Sequence, residues 1–168
     1  MRLTTKGRYA VALMLDIAIQ GSQGPVHLGD VAERQKLSLS YLERLAHVLR
    51  QKTLLQSVRG PGGGYLLGKP AEQLTVAMII AAVDESLDAT HCSGKANCHQ
   101  GVQCLTHNIW QSLTDQISGF LETITLKSLV ERADIQVIAQ RQRQMRRIQQ
   151  LALVQHDAIP SCLVQEEA

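Results

Sequence analysis

The stretch SLSYLERLAHVLRQKTLLQSVRGPGGGYLLGK, residues 38–69, decides the fold. In its first half Leu42, Leu45, Val48 and Leu49 recur at helical spacing and share one face of a helix expected over residues 39–52. The period then changes. Residues 54–58 form a strand candidate, residues 60–64 can only be a turn, and residues 65–67 return as a second strand, which together spell a β-hairpin. Arg59 stands at the shoulder of that hairpin, and the tip Gly60, Pro61, Gly62, Gly63 and Gly64 lets backbone lie against another surface without an intervening side chain.

Upstream, a short helix is expected over residues 30–36, with Val31 and Ala32 inward, and Leu37 and Ser38 make a tight break before the next helix. A longer first helix, capped by Thr4 or Thr5 and reaching about Gln20, carries Tyr9, Ala10, Leu13, Met14 and Ile17 on one face. Three helices followed by a hairpin describe a winged helix-turn-helix. Downstream, Thr75 caps a helix through about Asp84, whose Met78, Ile79, Ala82 and Val83 should pack on the winged domain. A cysteine-bearing loop follows, then a long helix expected over residues 104–123. Its apolar set, Leu105, Ile109, Leu113, Ile117, Phe120 and Leu121 with Ile124 beyond, is either core or a seam against a second copy of the chain. From Ala133 the composition turns to Gln and Arg, with RQRQMRR at 141–147, and a flexible tail with partial helix is expected. The fold class is thus mainly α with a small β-hairpin. Its three parts are a winged helix-turn-helix domain over 1–74, a cysteine loop and dimerisation helix over 75–131, and a tail over 132–168.

The whole chain has 168 residues, 45% of them hydrophobic and 3% aromatic, enough for one domain with a helical, aliphatic core but not for two enzyme domains. No long apolar run or signal-peptide pattern occurs, so a cytoplasmic protein without a membrane partner is expected. The net charge of +2 conceals an asymmetry. Residues 1–70 hold ten Lys/Arg against four Asp/Glu, whereas residues 71–131 hold two against seven. A basic module beside an acidic one fits a nucleic-acid-binding part with a separate control element, although a basic segment is also an ordinary solvated face.

Three of the four cysteines crowd into one loop, Cys92, Cys98 and Cys104, with His107 three residues on, while Cys162 sits alone and reads as a bystander. Three thiolates and an imidazole within 16 residues form a metal-ligand set rather than a disulfide framework. Zinc competes, but structural zinc sites usually pair their cysteines two to four residues apart, and here five residues separate each neighbouring pair. That spacing favours a larger object, an iron–sulfur cluster. Replacing one thiolate by a neutral imidazole leaves such a centre less negative and easier to lose, as a sensor requires. His91 and His99 share the loop, so the fourth ligand stays open between them and His107. On the third helix Ser38, Ser40, Tyr41, Glu43, Arg44, His47 and Arg50 are outward candidates. Ser40 to Glu43 also fits a capping box, which would make Glu43 purely structural.

Taken together, MRLTTKGRYA at 1–10, SLSYLERL at 38–45, SVRGPGGGYLLGK at 57–69 and AVDESLDAT at 82–90, followed by Cys92, Cys98 and CLTH at 104–107, resemble the iron–sulfur cluster regulators of the Rrf-type winged-helix family. The resemblance covers about residues 1–131. It implies a homodimeric, DNA-binding transcription regulator, not an enzyme, that acts as repressor or activator and crosses its partner on the long helix. It further implies a two-iron, two-sulfide (2Fe-2S) cluster obtained from the cluster-assembly machinery, and control of genes for that machinery. By position it assigns Cys92, Cys98, Cys104 and His107 as ligands, and Ser38, Ser40, Tyr41, Glu43, Arg59 and the glycine wing 60–64 as contacts to double-stranded DNA operators. Two operator classes, one needing the cluster and one not, are implied with Glu43. Members that sense nitric oxide or cysteine availability share the fold; the match of the surrounding segments separates them. A structural zinc in place of the cluster, or an electron-transfer protein, are the rival readings.

Overall fold

The computed structural model describes residues 4–90 and 92–157, with side chains described as far as Ile148. His91 and Cys162 lie outside the described residues. Helix α1 (Thr5–Gln20) starts where expected: the Thr4 hydroxyl accepts a hydrogen bond from Lys6 N–H at 3.1 Å. Ala10, Leu13, Met14 and Ile17, the apolar face read from the sequence, are fully buried, while Tyr9 packs partly buried against them. Helix α2 (Leu28–Gln35) ends on Lys36 in the left-handed conformation (φ 54°), with Leu37 N–H bonded back to Ala32 O at 3.0 Å. That tight reversal lets α3 (Leu39–Gln51) start at once from Ser38, completing the helix-turn-helix.

The hairpin forms as expected. Strands β1 (Leu55–Val58) and β2 (Gly64–Leu67) pair antiparallel, Leu55 opposite Leu67 and Val58 opposite Gly64. Val26 adds a one-residue third strand, exchanging two 2.9 Å hydrogen bonds with Tyr65. Between α3 and β1 the chain turns on Thr53, a β-branched residue held at φ 59°. Helix α4 (Val76–Ala82) starts from Thr75, whose hydroxyl accepts from Met78 N–H, and stops short of the expected Asp84, which is itself left-handed (φ 56°).

Helix α5 (His107–Thr123) begins three residues later than the sequence suggested, because Cys104 and Thr106 are drawn into the turns of the cysteine loop. Its end returns to the core. Helix α6 (Leu126–Val130), not foreseen, is set by a reciprocal capping box between Thr125 and Ser128. Val76 N–H bonds to Ile124 O and Leu126 N–H to Leu74 O, so fully buried Leu126 joins the core of α1 and α4. The described residues up to Arg132 form one compact unit around a core that runs from α1 to α6. A second unit begins at Ala133 with α7 (Ala133–Asp157), a helix of 25 residues in the segment where partial helix was expected. Its Gln, Arg, Leu and Ala are good helix formers, and composition had hidden that propensity. Among the described residues, no helix is long and apolar enough to cross a membrane.

Candidate cluster site and nucleic-acid interface

The cysteine loop is a succession of tight turns. Ser93, Gly94, Ala96, Gln100 and Gly101 all take left-handed φ values between 50° and 89°. The Thr90 hydroxyl accepts from Gly94 N–H at 2.7 Å, and His99 and Val102 exchange two 2.9 Å bonds around Gln100–Gly101. These turns fold Cys92 and Cys98 back over the first residue of α5. Cys92 Sγ lies 3.4 Å and Cys98 Sγ 3.9 Å from Nδ1 of His107, and the three ligand atoms fall within 4.8 Å of one another. His107 is buried at 6% exposure, whereas His99 is exposed and outside this group. The helix-face argument for His107 therefore gives way to a turn: His107 N–H bonds to Cys104 O at 3.2 Å. Cys104 stands at the edge of the group. Its N–H donates to Cys98 Sγ at 3.2 Å, and its own sulfur lies 3.8 Å from Thr106 Oγ1.

The three thiols share protons unequally. Burial pushes the Cys92 thiol up, but hydrogen bonds from the Thr90 hydroxyl, the Ala96 backbone, the Cys98 thiol and the Asn97 backbone outweigh it and bring it to about 7. The Cys98 thiol is pushed up, first because it donates to Cys104, while Cys104 is lowered by accepting that bond and others from Thr106. Cys98 therefore holds its proton longest, and a metal cation would displace it. Soft sulfur donors with one imidazole, convergent and half-exposed, fit an iron–sulfur group.

In the winged domain, Ser38, Ser40 and Glu43 are exposed along the first turns of α3. The capping box imagined for Glu43 does not form: Ser38, not Ser40, is the cap residue, and the two serine hydroxyls lie 3.0 Å apart instead. Tyr41 is half-buried, its ring meeting Tyr9 edge-on at 5.9 Å and carrying the Arg44 guanidinium at 5.3 Å, so its orientation is fixed from α1. Further along, His47 Nε2 lies 3.0 Å from the Gln51 amide. Within the wing, Arg59, Gly60, Pro61 and Gly62 are exposed, but Gly63 is buried and Gly64 half-buried. A Cβ on Gly64 (φ 153°) would stand 2.6 Å from Val26 O, so this glycine serves the hairpin's closure.

Two pairings that no sequence pattern announced hold these parts in place. Asp16 on α1 is 3% exposed and takes a forked hydrogen bond from Arg34 of α2, with Nη2 to Oδ1 at 2.6 Å and Nε to Oδ2 at 3.1 Å, plus Gln35 at 2.7 Å. Glu85, where the chain leaves α4 for the loop, accepts from Thr4 N–H at 3.2 Å, and its carboxylate lies against Gly7, where a Cβ would displace it. Ala89 N–H reaches Thr114 Oγ1 of α5 at 3.0 Å, so the loop's stem is tied to both helices.

A helix-turn-helix with an exposed third-helix face and a glycine-tipped hairpin beside it defines a winged-helix DNA-binding module. Residues 3–132 match the Rrf2 family, described as an iron-dependent transcriptional regulator, and the chain belongs to that family. It is 58% identical over 142 residues to the HTH-type transcriptional regulator IscR of Serratia proteamaculans, covering 84% of this chain and 87% of that relative. With the IscR of Photobacterium profundum it shares 57% over 145 residues, 86% and 84% of the two chains. Among solved structures it resembles T. potens IscR, with a TM-score of 0.65 at 35% identity over 78% of this chain and 87% of that one. CymR, the global cysteine regulator of B. subtilis, superposes with a TM-score of 0.69 at 28% identity, covering 77% and 96%. The chain is accordingly a transcription regulator, not an enzyme.

Proposed function

We propose that this regulator senses iron–sulfur cluster status through a 2Fe-2S cluster held by Cys92, Cys98, Cys104 and His107, and sets the expression of cluster-assembly genes accordingly. The observation that carries the reading is the convergence of two thiol sulfurs and a buried imidazole nitrogen within 4.8 Å, with a third thiol bonded at its edge, in a chain that also presents a DNA-reading helix. Bound there, the group supplies a labile, redox-sensitive charge in place of the thiol proton. The chain's own residues do the rest. Cys92 and Cys98 close the loop on His107, Ala89 and Thr114 fasten it along α5, and Glu85 joins its stem to the start of α1.

Operator contact falls to Ser38, Ser40, Tyr41 and Glu43 in the major groove and to Arg59 with Gly60, Pro61, Gly62, Gly63 and Gly64 in the wing. Glu43 acts as a filter: its carboxylate accepts a bond from cytosine N4 and repels phosphate where no such donor is offered. Loading of the loop relieves that restriction, so operators divide into cluster-dependent and cluster-independent classes. The working form is a cytoplasmic homodimer joined along α5, where Ile109, Trp110, Leu113 and Phe120 are exposed, and it receives its cluster from the assembly machinery.

Anaerobic purification tests the site and operator binding tests the switch. The expected result is a brown protein whose visible bands vanish in the triple Cys92, Cys98 and Cys104→Ala variant, together with its cluster-dependent operator binding. A colourless protein with stoichiometric zinc would overturn the cluster, and Glu43→Ala selecting operators as the parent does would overturn the filter.

A further inference from the structure

A wing and a reading helix that enter neighbouring grooves of one duplex must straddle something. Major and minor grooves are separated by a sugar–phosphate strand, so whatever joins α3 to β1 on the DNA side faces that strand. In this chain the joining pair is Arg50, in the last turn of α3, and Ser57, in the middle of β1. Arg50 Nη1 donates to Ser57 Oγ at 3.4 Å, and both residues are exposed. The junction beneath them is stiff. Thr53 N–H bonds to Arg50 O and Leu54 N–H to Leu49 O, both at 2.9 Å, which fixes the backbone from which the two side chains project.

We propose that Arg50 and Ser57 form a phosphate clamp that receives one DNA backbone phosphodiester between the reading helix and the wing. A guanidinium fork and a hydroxyl are the donors that phosphate oxygens take, and here they are already held side by side. Ser57 turns its hydroxyl hydrogen to the phosphate while its oxygen keeps the bond from Arg50. The 3.4 Å hydrogen bond uses one donor of the guanidinium, which leaves the others for the incoming anion. Such a contact reads no base. It fixes the register in which Glu43 and Arg59 meet their own positions, so this proposal rests on the operator reading above.

The full-length protein is titrated with duplexes of both operator classes over a range of salt. Arg50→Ala should lower affinity about tenfold for every operator by the same factor, and flatten the log–log salt dependence by about 1 for each clamp lost. Arg50→Lys, which keeps the charge but not the fork, should keep the slope and lose several-fold in affinity. Ser57→Ala should cost about threefold with the slope unchanged. Because both side chains are exposed, thermal melting of all three variants should match the parent. A parental slope retained in Arg50→Ala, or a loss that depends on base sequence, overturns the clamp alone. A parent with no salt-dependent duplex affinity overturns the operator reading with it.

Discussion

Removing the carboxylate of Asp16 strands the guanidinium of Arg34, whose side chain is only 6% exposed. An unpaired buried charge costs about 3–5 kcal/mol, so Asp16→Ala should lower the unfolding free energy by about that amount, read as a fall in urea midpoint at unchanged m-value. The pair escapes sequence reading because charged residues 18 positions apart carry no periodic signature, and most such residues are solvated. The thiols were legible for the opposite reason: three cysteines in 13 residues are rare enough to announce a site. Their unequal protonation was not, since it comes first from the Thr90 hydroxyl beside Cys92 and the contact between the Cys98 and Cys104 thiols, which only the folded loop brings together. In metal-free protein Cys92 is largely protonated below about pH 7 and thiolate above it, whereas the raised Cys98 stays protonated to higher pH. Iodoacetamide labelling followed by peptide mass analysis should show Cys92 modified first, its rate rising through about pH 7 with Cys98 trailing.

Elements with a strong period were read almost to the residue. The helical spacing of the apolar residues in α3 and the glycine tip of the wing fix α3, β1 and β2. Helix α6, five residues long, is too short to show a period, and α5 lost its first turn to loop hydrogen bonds that no residue type encodes alone. Helix α7 has a polar composition and no clean apolar period, so only the propensity of its Gln, Arg, Leu and Ala marks it as helix. The wing also carries a constraint visible only in three dimensions, the close pass of Gly64 beneath Val26. Gly64→Ala should break the Val26–Tyr65 bridge, destabilise the protein by about 2 kcal/mol, and weaken operator binding more than stability alone explains. Hydrogen exchange at Tyr65 N–H would accelerate accordingly.

At the scale of the molecule the α5 stripe is the least settled surface, with Ile109 at 67% and Phe120 at 65% exposure. Core packing within one chain, one of the two sequence readings, does not cover these residues. If a second copy covers them, Ile109→Glu and Phe120→Glu should each shift the protein to monomer in sedimentation equilibrium without unfolding it, because neither side chain is buried in its own chain. The charge asymmetry read from the sequence assigns the basic excess to residues 1–70, which include the reading helix and wing. Between these last two elements lies Thr53, a branched residue in a conformation that glycine adopts freely. Its cost is of order 1–2 kcal/mol. A single exchange to glycine should therefore make the regulator more heat-tolerant by a few degrees in a melting scan. The strained residue sits where α3 passes into the wing, so relaxing it would trade heat tolerance against a looser joint between the two elements that meet DNA.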